Sequence, residues 1–161
     1  YKKDAKLTRQ FFATVQNKMH VAAHGKTAAE LVYERADAKK PNMGLTNFKG
    51  DYITSDDVEV AKNYLSEEEL NVLNLIVSQY LDFAELQATR QRAMTMQQWI
   101  DKLDEFLKVS DSSVLVGAGK IKHEQAMTRA KREFKKYRDE EMRRMESDFD
   151  KAIKELRSKE S

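Results

Sequence analysis

Two histidines four residues apart, His20 and His24, precede a Gly25-Lys26-Thr27 step and a carboxylate at Glu30. On a helix, residues four apart share one face, so the two imidazoles could bind one metal ion, with Glu30 or Glu34 on the next helix adding oxygen. Such a site needs three or four ligands and the pair supplies two; a histidine pair near a helix C-terminus is equally explained by attraction to the helix dipole. The step itself suggests a second chemistry. Unpaired amides at a helix N-terminus, a glycine permitting close approach, the Lys26 charge and the Thr27 hydroxyl could hold a phosphate. His20 would then act as base, with Glu30 or Arg35 orienting. Gly25, Thr27 and Glu30 are also the residues of a helix stop followed by a capping box, which requires no ligand. Arg35, Asp37, Asn42 and Gly44 surround the only proline, Pro41, beside the same junction. That stretch is either a ligand-binding loop or a turn.

A second chemistry-bearing set lies near the C-terminus. Arg129, Lys131, Arg132, Lys135, Lys136 and Arg138 place six positive charges within ten residues, a pattern able to track nucleic-acid phosphates. Glu133 interrupts it and Asp139-Glu140-Glu141 follows, so a solvated helix face with internal ion pairs is the competing reading. Met94, Met96, Trp99 and Phe106 have helical spacing and read as core rather than as a binding groove.

The elements that must position these residues are helices. Leu7, Phe11, Phe12, Val15 and Met19 recur at three- and four-residue steps, giving a first helix over about residues 4–24 that Gly25 stops. A second runs over 28–38, after which residues 45–53 form a loop with room for a short hairpin around Gly50-Asp51. Ser55 opens a short helix to Leu65. Ser66 with Glu69, then Thr95, cap two longer ones, and Asp111 to Val116 has room for one more turn. From Lys120 to about Arg157 no breaker occurs, so a single long helix should overhang the globule and pack on a partner. The expected architecture is all-α: six or seven mostly antiparallel helices in one domain, with a core over 1–118 and the long helix over 119–158.

Composition agrees. The 161 residues are 35% charged and 40% hydrophobic, with five glycines and one proline, which favours solvated helices over sheet. No cysteine is present, so disulfides, thiolate metal sites and cysteine nucleophiles are excluded. No apolar run approaches a bilayer span, so a cytoplasmic, non-membrane protein is expected. Charge is uneven: ten Lys/Arg against four Asp/Glu in 1–50, five against thirteen in 51–119, and fourteen against ten in 120–161. Basic ends can pair with the acidic middle or face a ligand.

Five ordered strings then carry a resemblance: residues 6–20 (KLTRQFFATVQNKMH), 25–30 (GKTAAE), 35–38 (RADA), 41–45 (PNMGL) and 60–66 (VAKNYLS). Together they resemble the C-terminal half of the virulence-protein RhuM family, and residues 119–124 (GKIKHE) resemble a further string of it. The resemblance implies a bacterial, virulence-associated protein described as DNA-binding, whose N-terminal half carries the DNA-binding module. With Tyr1 in place of an initiator methionine, the chain reads as a C-terminal fragment. DNA would be contacted through the full-length protein, and the long helix would join copies into a homo-oligomer. No cofactor is implied. The His20-to-Gly25 spacing before a helix is also similar in outline to the Fic nucleotidyl-transfer family, although Lys26, Thr27 and Ala28 stand where that family has other residues. The alternative function is therefore a degenerate Fic-like enzyme acting on a nucleotide or nucleic-acid phosphate.

Overall fold

The computed structural model describes residues 2–160, with side chains from Asp4 onward; Tyr1, on which the fragment reading rests, and Ser161 lie outside the described residues. Five α-helices form: α1 (Lys2–His24), α2 (Ala28–Arg35), α3 (Glu67–Thr89), α4 (Met96–Val109) and α5 (His123–Glu160). Three short 3-10 turns, Pro41–Gly44, Asp57–Glu59 and Ala61–Tyr64, connect α2 to α3. No strand occurs among the described residues, so the hairpin expected near Gly50 is a plain loop.

The helix count is thus five rather than six or seven. The stretch after Ser55 breaks into two 3-10 turns because Asp57 turns back on Thr54, whose backbone N–H donates to the carboxylate at 2.9 Å. Asn63 then donates to the Asp57 carbonyl at 2.9 Å. Both bonds hold the chain in turns that an α-helix would undo. Residues 111–116 likewise form no helix; Asp111 is left-handed at φ 56°.

The long helices begin where capping chemistry places them. Thr27, Ser66 and Thr95 each accept from the backbone three residues on, and Glu30, Glu69 and Gln98 answer as acceptors for the cap N–H. α5 starts at His123 rather than Lys120, with the Lys122 amide donating to the Gln125 side chain.

α1 packs on α3 and α4, whereas α2 packs on the first half of α5 and on the 61–64 turn. The fully buried Leu31, Val32, Met43, Val58, Leu103, Leu107, Ala126 and Ala130 draw on both groups of elements. The alanines at 126 and 130 let α5 approach closely. Trp99 and Phe106 are partly buried against this core as expected, but Met96, the first residue of α4, is exposed.

At about 1.5 Å per residue α5 reaches roughly 57 Å. Only its first half is covered. From Met142 to Glu160 every residue except Ile153 is exposed.

Candidate functional site

Gly25 ends α1 at φ 88°, and Thr27 opens α2 with its side chain buried. Two of the first-turn amides that a phosphate could use are already taken: the Ala28 amide donates to Asn17 of α1 at 3.2 Å and the Glu30 amide to the Thr27 hydroxyl. Glu30 itself sits over the helix N-terminus, where its negative charge is favourable. One carboxylate oxygen accepts the Thr27 amide at 2.8 Å and the other the Lys120 amide at 3.0 Å. These amides hold the Glu30 carboxyl below its usual range. The segment before α5 is thereby pinned across the junction; a Cβ at Gly119 would lie 2.7 Å from the Thr27 methyl carbon. Lys26 turns outward to an ion pair with Glu34.

His20 is 1% exposed and lies on the α1 face that meets α3. Its Nδ1 is 2.8 Å from Nε2 of His24, whose own Nδ1 is buried without a hydrogen-bond partner. Burial, then the neighbouring His24, then Lys62, push the His20 imidazole down to about 4. A buried group so reluctant to take a proton is a weak base at neutral pH. The His20 Nδ1 and the His24 Nε2 face each other, so the pair supplies two ligands of the three or four that a metal site needs. Among the described residues no group of three or more His, Cys, Asp or Glu is arranged to hold a metal.

Arg35 leaves the end of α2 to grip Glu69 at the start of α3 with two parallel bonds, 2.6 and 2.7 Å, and also donates to the Tyr64 carbonyl at 3.0 Å. Chiefly through those Arg35 bonds, the Glu69 carboxyl is held down to about 2. Asn42 and Met43 are both left-handed, at φ 53° and 60°, and Gly44 follows at φ 87°. Met43 is fully buried, which holds the strained turn in place. Asn42 faces α5 across an open cavity of about 860 Å³, with Lys39, Lys40, Lys136, Arg143 and Arg144 on its walls.

The sequence-derived residues divide into two groups: His20 bonds to His24, which lies within electrostatic reach of Lys26, Arg35 and Glu69, whereas Asn42 stands apart from them. His20 lines an apolar groove between α1 and α3, Arg35 bridges α2 to α3, and Asn42 borders the charged cavity beside α5. Four connections escaped sequence reasoning: Asn17 to Ala28, Glu30 to Lys120, Arg35 to Glu69, and Lys18, which is buried against Asp104 at 2.9 Å and donates to the Leu115 carbonyl at 2.7 Å. A lysine on the inner face of α1, aligned with Met19 and His20, was the signal available for the last.

Half of the basic set on α5 is internally engaged. Lys131 pairs with Glu59 at 3.3 Å, Lys136 with Glu133 at 3.4 Å, and Arg129 with Glu133 at 4.0 Å while lying over the Tyr33 ring. Arg132 and Lys135 have no carboxylate partner among the described residues, and Arg138 lies over Phe134.

Among the described residues the chain is all-helical, with a long terminal helix that runs out beyond the core. The chain belongs to the virulence protein RhuM family, whose model matches residues 1–146. No curated protein and no solved structure matches it. No helix is long and apolar enough to cross a membrane.

Proposed function

We propose that this domain is a binding and assembly module, the C-terminal domain of a RhuM-type protein that supports a DNA-binding region elsewhere in the full-length protein and joins it to other chains through α5. The observation that carries the reading is α5 itself: its first half is locked into the core and its second half is held out from it, with Met142, Met145, Phe149 and Leu156 each more than half exposed. Exposed apolar residues in sequence on one helix mark an interaction surface. The Thr27, Ala28 and Glu30 amides, already taken up inside the fold, the burial of His20 and the separation of Asn42 from it favour this reading over nucleotide or phosphate chemistry at the 20–27 junction.

DNA contact by the domain itself would be auxiliary. Arg132, Lys135 and Arg138 are the members of the basic set without a carboxylate partner, so about three phosphates are within its means, giving a slope of log affinity on log salt of roughly −3. Fluorescence anisotropy of a labelled duplex, titrated at several salt concentrations, tests this. Binding with that shallow slope, lost in the Arg132→Ala/Lys135→Ala variant, supports the auxiliary role; no binding at low salt removes DNA from the domain's own partners.

A further inference from the structure

The exposed half of α5 carries more than an apolar stripe, because its charges follow the same repeat. Met142, Met145, Phe149, Ala152 and Leu156 succeed one another at steps of three and four, the a and d positions of two heptads. The positions flanking that seam, e and g, are Asp139, Glu141, Glu146, Asp148, Glu155 and Glu160, with Ile153 the one exception. Of these only Glu141 has an ion pair among the described residues, with Arg144 at 3.1 Å. The basic residues of the segment lie mostly on the opposite side. The stripe is also turned by roughly 100° from the α5 face that Ala126, Ala130 and Glu133 press into the core, counting about 100° per residue. Its line runs on from Met127 and Phe134, which pack against the core, but every residue of the stripe from Met142 onward is exposed.

Flanking charges choose the partner of such a seam. A parallel pair of α5 helices would set Glu141 against Glu146 and Glu155 against Glu160, twice over by symmetry. An antiparallel pair would set Glu141 against Glu155 and Asp148 against itself. Both arrangements bring like charges together, relieved only at Glu141 by its Arg144 partner. We infer that the distal half of α5 docks an amphipathic helix of another polypeptide, one whose apolar stripe is flanked by Lys and Arg, and does not pair with a second α5. The inference rests on the assembly reading above and narrows it, since it removes self-pairing of α5 as the route to an oligomer.

The test uses the whole chain and two synthetic peptides of residues 135–161. One has the natural sequence; the other carries Glu141→Lys, Glu146→Lys, Asp148→Lys and Glu155→Lys. The expected result at low salt is that the charge-reversed peptide binds at least about tenfold tighter than the natural one. That difference should shrink as salt rises, and binding should be lost in the Phe149→Asp chain, whose exposed site leaves the fold intact by circular dichroism. If the natural peptide binds as well as the reversed one, the charge rule is overturned while α5 remains an assembly surface. If neither binds, the assembly reading of α5 falls with it.

Discussion

His20 shows how one buried side chain sets the response of the domain to acid. Its imidazole has an ordinary value of 6.5 when the chain is unfolded and about 4 in the fold. As pH falls below 6.5, the unfolded chain takes up a proton that the folded chain refuses. The stabilisation is therefore complete above 6.5 and lost progressively toward 4, by about 3 kcal/mol if the full shift is realised. Urea unfolding at about pH 7.5 and about pH 4.5 should show that loss in the natural chain and a much smaller one in His20→Gln; equal losses would place the acid sensitivity elsewhere. Arg35 acts at the same scale by geometry. Its two-bond grip on Glu69 cannot be copied by an ammonium, so Arg35→Lys should cost about 1–2 kcal/mol in chemical denaturation despite the conserved charge. The pairing holds Glu69 ionised down to about 2, so that part of the stability persists above the ordinary carboxylate value of 4.5 and fades between there and 2.

Among the elements, those fixed by neighbouring residues were legible in the sequence and those fixed by distant ones were not. The capping boxes at Thr27, Ser66 and Thr95 span three residues each, and all three form. The tie from Glu30 to Lys120 crosses 90 positions and that from Arg35 to Glu69 crosses 34, so no local pattern announces either. For the same reason a phosphate cradle was a fair expectation at residues 25–30: only the fold shows Asn17 and Glu30 occupying its amides. The 41–44 turn was legible as a turn from Pro41 and Gly44, but not its left-handed Asn42 and Met43, which tertiary burial of Met43 enforces. Gly44 is the sensitive point of that element. A Cβ there would lie 2.2 Å from the Arg35 carbonyl oxygen, whereas at Gly117, at similar positive φ, it would meet nothing within 4 Å. Gly44→Ala should therefore destabilise by about 3 kcal/mol or more and Gly117→Ala by only about 1 kcal/mol, measured by thermal melting. Similar costs at the two sites would contradict the crowding.

For the whole molecule, the overhang of α5 was legible from an unbroken helical run of residues too long for the globule, while the number of helices was not, because short 3-10 turns carry no period. Since residues after Met142 add almost no burial, a chain ending at residue 142 should keep its helical core and melt within about 3 °C of the complete chain. A large drop would mean that the distal helix folds back onto the core. The proposed role of the domain is the binding of other macromolecules and not phosphate chemistry at the 20–27 junction. Its most direct test is calorimetric titration of ATP, with and without magnesium, and then of short duplex DNA, into the natural chain, Lys26→Ala and Arg132→Ala/Lys135→Ala. The expected result is no nucleotide binding, and weak, salt-sensitive DNA binding that survives Lys26→Ala and is lost in the double variant. Nucleotide binding that disappears in Lys26→Ala would contradict it and return the junction to the role of an active site.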